Sequence, residues 1–146
     1  ERPVALVLHG GPGGDHTGFK PSFSPLAAHV QLVYVDHRGQ GRSARGDVAR
    51  YTLDENVEDM EALRQYLGLG PVVSIGTSYG GMVAMAHAAR YPHSVSHLVL
   101  IVTAAHAGFN ARARQIVAER GTAEQQQVCA QLWAGELRTQ AALAHY

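Results

Sequence analysis

Two glycine-rich stretches hold the residues whose types and spacing could do chemistry. The first is Gly76-Thr77-Ser78-Tyr79-Gly80-Gly81, a G-x-S-x-G string. It lies between an apolar run, Val72 to Ile75, and a segment rich in Ala, Met and Val, Tyr79 to Arg90. A serine on so tight a strand-to-helix turn is forced into strained backbone angles, and glycines on either side leave room for the close approach. Its hydroxyl then stands at the carboxyl end of the strand. The N-terminus of the following helix points at it, and the unpaired N–H groups and partial positive charge there suit a developing oxyanion. The chemistry would be attack by the Ser78 hydroxyl on a carbonyl carbon. The bland alternative is a glycine-tolerant turn with an idle serine.

The second stretch, His9-Gly10-Gly11-Pro12-Gly13-Gly14, follows the apolar run Val4 to Leu8. A backbone with few side chains can approach a substrate and aim N–H groups at it. Acyl transfer needs two such donors: one from the residue after the nucleophile, Tyr79, and one from this loop, for which Gly11 is expected. Gly10 and Pro12 are expected to line the substrate pocket. His9 is expected to be structural, bonding the loop backbone. A nucleotide-binding loop is disfavoured, because neither G-x-x-x-x-G-K-[ST] nor a G-x-G-x-x-G opening a helix occurs.

These loops need rigid elements behind them. Four apolar runs read as strands: Val4–Leu8, Gln31–Val35, Val72–Ile75 and Ser96–Val102. They are nearly continuous rather than alternating, which implies burial on both faces and a parallel sheet with helices on each side. Between them, a short helix is expected over Phe23–Val30. A longer one is opened by Thr52, with Thr52 and Glu55 forming a capping box. Its apolar face carries Leu53, Val57, Met60, Leu63 and Leu67, and Gly68 closes it. A third helix runs from Tyr79 to Arg90 and stops before Pro92. Gly39 to Arg50 reads as a polar surface loop. The alternation of strand and helix is the α/β pattern, with right-handed crossovers. After Thr103 the character changes to helices only, Phe109–Arg120 and Thr122–Tyr146, the latter opened by a Thr122/Gln125 capping box. The expected division is a core over residues 1–105 and a helical lid over 106–146.

Composition excludes several classes. Lys+Arg and Asp+Glu each total 12, so there is no basic footprint for nucleic acid and no polybasic membrane patch. No apolar run approaches the roughly 18 residues of a membrane span, and no secretory leader is legible. The single cysteine, Cys129, has no internal disulfide partner, which fits a reducing, cytoplasmic setting.

The two glycine motifs, together with Asp36-His37-Arg38-Gly39-Gln40-Gly41-Arg42-Ser43, occur in an order and spacing that resemble the proline iminopeptidase branch of the α/β-hydrolase superfamily. The HGGPGG loop is the most discriminating of the three. The resemblance covers residues 4 to 103. It implies a partial α/β-hydrolase fold with spatial strand order second, first, third, fourth. It implies Ser78 as nucleophile, Gly11 and Tyr79 N–H groups as the oxyanion hole, and bracing roles for Asp36 and Arg38. It implies release of an N-terminal residue, often proline, from short peptides. An esterase, amidase or lactonase is the runner-up, and a non-catalytic ligand-binding module is the rival from another class. Small peptides or esters are the expected partners; no cofactor and no metal are expected.

Such enzymes carry the triad acid and histidine beyond the lid, in the order Ser, Asp or Glu, His. No Asp follows Asp59. Of the later histidines, His87 falls on the helix after the elbow, and His93 and His97 fall at the far end of the fourth strand. His145 falls in the final helix. His106, just past that strand, is expected to contact substrate or lid. The i, i+4 pair His93 and His97 lacks the third ligand a zinc site needs. The chain is therefore expected to work together with a further part of its own protein, or with a second chain. Two apolar sheet edges would otherwise be exposed.

Overall fold

The computed structural model describes residues 2–136. Four strands, β1 Val4–Leu8, β2 Gln31–Val35, β3 Val72–Thr77 and β4 Val95–Ile101, form one parallel sheet in the order β2-β1-β3-β4. This is the strand order that the resemblance implies. The first two strands begin and end where the apolar runs do. β3 continues through Gly76 to Thr77, because Gly76 and Thr77 still pair with Leu100 and Ile101 of β4.

Each of the first three strands is followed by a helical segment. Helices α1 Lys20–Phe23, α2 Leu53–Tyr66 and α3 Tyr79–Arg90 lie within the same unit as the sheet. Between Phe23 and Val30 a single helix was expected. The chain instead forms four-residue α1 and then a 3-10 turn over Ser24–Ala28, each with a proline at its start. Pro25 lacks the N–H that a continuous helix would need there.

The core has two layers. On one face Leu6, Leu8, Val35, Val72 and, from α2 and α3, Val57, Met60, Val83 and Ala84 pack together. On the other face Ala5, Val7 and Ile75 pack against Phe23, Val30, Leu32, Tyr34, Val73 and Ile101. The alternation along β1 is that of a strand buried on both sides. β4 is different. It is apolar, yet Leu98, Val99 and Leu100 are partly exposed, because β4 is an edge strand with a neighbour on one side only among the described residues.

Thr52 caps α2 by accepting the Glu55 N–H, 3.2 Å. The reciprocal half of the expected capping box is missing, since the Glu55 carboxylate pairs with Arg50 and Arg38 instead. Val57, Met60 and Leu63 face the core, whereas Leu53 and Leu67, at the ends of the helix, are exposed.

A second unit begins at His106. It contains α4 Phe109–Arg120 and α5 Ala123–Trp133. The Thr122/Gln125 capping box opens α5 with both of its hydrogen bonds, and the Arg114 guanidinium lies over the Trp133 ring. The expected continuation of the last helix beyond residue 136 lies outside the described residues. No helix among the described residues is long and apolar enough to cross a membrane.

Candidate active site

Ser78 sits in the one-residue turn between β3 and α3, with φ 52° and ψ −118°. Only one other non-glycine residue among those described, Val102, has a positive φ. Such a conformation costs about 1–3 kcal/mol and persists only where its surroundings enforce it. Here the C-terminal end of β4 does so. The Ser78 N–H donates to the Ile101 carbonyl, 3.0 Å, and the Thr103 hydroxyl donates to the Ser78 carbonyl, 2.7 Å. That carbonyl also accepts the Gly81 N–H, 2.9 Å, as α3 begins.

The flanking glycines are required by contact. A Cβ at Gly76 would lie 2.4 Å from the Gly80 carbonyl oxygen, and one at Gly80 would lie 2.2 Å from that of Leu8. The second contact holds α3 against the end of β1, where the other glycine stretch starts. Tyr79, the first residue of α3, offers a backbone N–H that the helix leaves unpaired.

The His9–Gly14 loop lies against Ser78. A Cβ at Gly10 would stand 3.1 Å from Ser78 Cβ and 3.7 Å from its Oγ. Gly11 has φ +128°, open only to glycine. Gly10 and Ser78, far apart in sequence, thus meet at the carboxyl end of the sheet. Ser78 is half-buried, while Gly11 and Pro12 are exposed.

Behind the loop lies a buried polar layer. His9 is 1% and His37 is 0% exposed, with ring centroids 4.5 Å apart. The His37 N–H donates to His9 Nε2, 3.2 Å, and His37 Nε2 donates to the His9 carbonyl, 3.2 Å. The His37 ring meets Tyr79 edge-on, centroids 5.4 Å apart. Burial, followed by the neighbouring His9, pushes the His37 imidazole down to about 4. Asn56 Nδ2 donates to the Tyr79 phenol, 2.8 Å, and to the Thr52 carbonyl, 2.9 Å. Burial raises the Tyr79 phenol above its ordinary range, and the Asn56 bond opposes this only in part.

Three of these residues were not singled out from sequence. Asn56 had a legible signal, a polar residue beside the core face of an amphipathic helix. His37 was read only as part of a loop motif. Thr103 carried no signal, because its role exists only where β4 meets the turn.

Asp36 and Arg38 hold loops in place. Asp36 accepts from the His16 N–H, 2.7 Å, the His16 ring, 2.9 Å, and the Arg42 N–H, 2.9 Å. Burial pushes its carboxyl up, but these donors outweigh that and keep it below the usual carboxylate range. Arg38 forms a two-pronged bond to Asp59, both arms 2.6 Å, and an ion pair to Glu55, 2.9 Å.

Two later histidines of the first unit, His87 and His97, lie away from Ser78. Among the described residues, no histidine or carboxylate hydrogen-bonds its Oγ. His87 is fully buried near the end of α3, with Nε2 donating to Glu61, 3.1 Å. His97 pairs in register with Val73, at the opposite end of the sheet. His106 belongs to the second unit, where its Nδ1 accepts the Gly108 N–H, 3.0 Å. His145 lies outside the described residues. No cluster of three metal-ligating side chains occurs among the described residues.

The chain matches the α/β-hydrolase fold family over residues 3–133. It belongs to that family. Among curated relatives of this α/β-hydrolase, proline iminopeptidase PfmaB of Pestalotiopsis fici is 37% identical over 108 residues, 71% of this chain and 37% of that protein. A proline iminopeptidase-related protein from Thermus thermophilus has a crystal structure with TM-score 0.66 at 31% identity, over 70% of this chain and 37% of that one. The crystal structure of VinJ matches with TM-score 0.82 at 25% identity, over 99% of this chain and 50% of that one. The α/β-hydrolase chain spans about a third of the length of the curated relatives it matches.

Proposed function

We propose that this α/β-hydrolase is a serine hydrolase that transfers an acyl group to water, and that its substrates are short peptides from which it releases an N-terminal proline or similar residue. The observation that carries this reading is the strained Ser78, held at the tip of β3 with the glycine loop against its side chain. Ser78 Oγ attacks the substrate carbonyl, and the tetrahedral oxyanion is taken by the Tyr79 and Gly11 N–H groups. An acyl-enzyme forms as the amine leaves, and water releases the acid. Gly10 and Pro12 are the proposed pocket residues. A base must take the Ser78 proton and an acid must orient that base; among the described residues no histidine or carboxylate hydrogen-bonds the Ser78 hydroxyl.

The proline preference is supported by the relatives' names and by the HGGPGG loop. A fluorophosphonate probe tests the core of the reading in the full-length protein. Labelling should occur at Ser78 and vanish in Ser78→Ala. Rates on proline and alanine arylamides against short esters then test the substrate class. Absence of labelling in folded protein overturns the serine assignment; faster ester than arylamide turnover overturns the peptidase.

A further inference from the structure

The peptide joining Gly10 to Gly11 has one end buried against His9 and the other at the proposed oxyanion site. The bond is trans, so the Gly10 carbonyl and the Gly11 N–H point in opposite directions from one plane. Whatever orients the carbonyl therefore aims the N–H.

The Gly10 carbonyl oxygen is 2.7 Å from His9 Nδ1. Which tautomer makes that bond is decided on the other side of the ring. His9 Nε2 receives the His37 backbone N–H, so Nε2 is the acceptor and Nδ1 carries the proton. His37 Nε2 donates back to the His9 carbonyl, so the two residues lock each other. Among the described residues, the charged group facing the His9 ring is Asp36, with Oδ1 3.9 Å from Nε2 and occupied by His16. The glycines themselves impose no orientation, since neither has a side chain to resist rotation of the peptide plane. The His9 ring supplies a clamp on that carbonyl.

We propose that His9 is a positioning residue for the oxyanion hole: as the Nδ1–H tautomer set by His37, it holds the Gly10 carbonyl and so directs the Gly11 N–H away from the core toward the developing oxyanion. This rests on the reading of Ser78 as nucleophile and Gly11 as donor. His9 touches neither substrate nor reacting atoms.

Two substitutions in the full-length protein separate the donor role from bulk. His9→Asn places an amide N–H near the position of Nδ1. His9→Gln places an acceptor near Nε2 and loses the donor to Gly10. On a proline arylamide, His9→Gln is expected to lose about 100-fold in kcat with KM changed less than about threefold, as for removal of one oxyanion donor. His9→Asn should recover to within about tenfold of the parent. Folded His9→Gln with parental kcat, or His9→Asn as impaired as His9→Gln, overturns the proposal. Nitrogen-15 NMR of the unsubstituted protein gives a second readout that needs no variant: His9 should be protonated at Nδ1, and an Nε2–H tautomer overturns the proposal. Turnover that survives Ser78→Ala overturns the hydrolase reading and this one with it. Ser78-dependent turnover unaffected in folded His9→Gln overturns the positioning role alone.

Discussion

The Thr103 hydroxyl donates to the backbone carbonyl of Ser78 itself, 2.7 Å away, while Ile101, two residues earlier, accepts the Ser78 N–H. Between them Val102 is bent to φ 43°, a conformation a β-branched residue rarely adopts. The end of β4 therefore grips both backbone polar groups of the strained residue, and takes strain of its own to do so. Thr103→Val keeps the shape and removes the donor. The Ser78 carbonyl retains the Gly81 N–H, so the expected cost is about 1 kcal/mol in chemical unfolding. Since the lost bond orients the turn, kcat on an arylamide should fall severalfold with KM little changed. Unchanged kcat in a destabilised Thr103→Val protein would show that the turn holds its geometry without this bond.

Asn56 and Tyr79 form the second brace, side chain to side chain. Asn56→Leu leaves the Tyr79 phenol without its donor, and Tyr79→Phe removes the acceptor. A double-mutant cycle in urea should give a coupling energy of about 1 kcal/mol. Additive effects would mean that the bond contributes nothing beyond the two separate losses.

His37 makes stability depend on pH in a definite window. Its imidazole is pushed down to about 4, from an ordinary value of 6.5. Between those values an unfolded chain binds a proton at His37 and the folded protein does not. The contribution is therefore complete above pH 6.5 and is lost as pH falls toward 4, by about 3 kcal/mol over the window. The carboxyls held low, Asp15, Asp36, Glu55, Glu58 and Glu61, begin to lose their contributions only below about pH 4.5, as the unfolded carboxylates titrate. Unfolding free energies from pH 7 to 5 should thus fall more steeply in the parent than in His37→Gln. Parallel slopes would remove His37 as the cause.

Glu61 governs stability at a distance from Ser78. Its buried carboxylate accepts from Arg64 at 2.6 and 3.0 Å, Gln65 at 2.8 Å and His87 at 3.1 Å. The Arg64 guanidinium is the main reason its carboxyl is held far below the usual range. Glu61→Leu leaves the fully buried His87 without its acceptor and should cost about 1–3 kcal/mol. His87 lies nine residues along α3 from Ser78, roughly 13 Å of helix. kcat/KM measured well below the lowered unfolding temperature should stay within about twofold of the parent. A larger drop would mean that α3 transmits the change to its N-terminus.

What the sequence determined by itself was local. Strands β1 and β2, helices α3 and α4 and the caps at Thr52 and Thr122 followed from apolar runs and turn chemistry, which depend on neighbours a few residues away. The elbow was legible for the same reason: Gly-x-Ser-x-Gly between a strand and a helix leaves few ways to turn. Tertiary structure decided everything that required distant segments to meet. Glu55 could complete its capping box or pair with Arg50 and Arg38, and only packing chose the ion pairs. His87 could have faced water, and only the approach of α2 gave it Glu61. The supports of Ser78, namely Thr103, Asn56 and the His9–His37 lock, join residues 23 to 28 positions apart or act through such a neighbour. No periodicity in a chain records such pairings, because hydrogen-bond geometry is set by where the sheet places its strand ends.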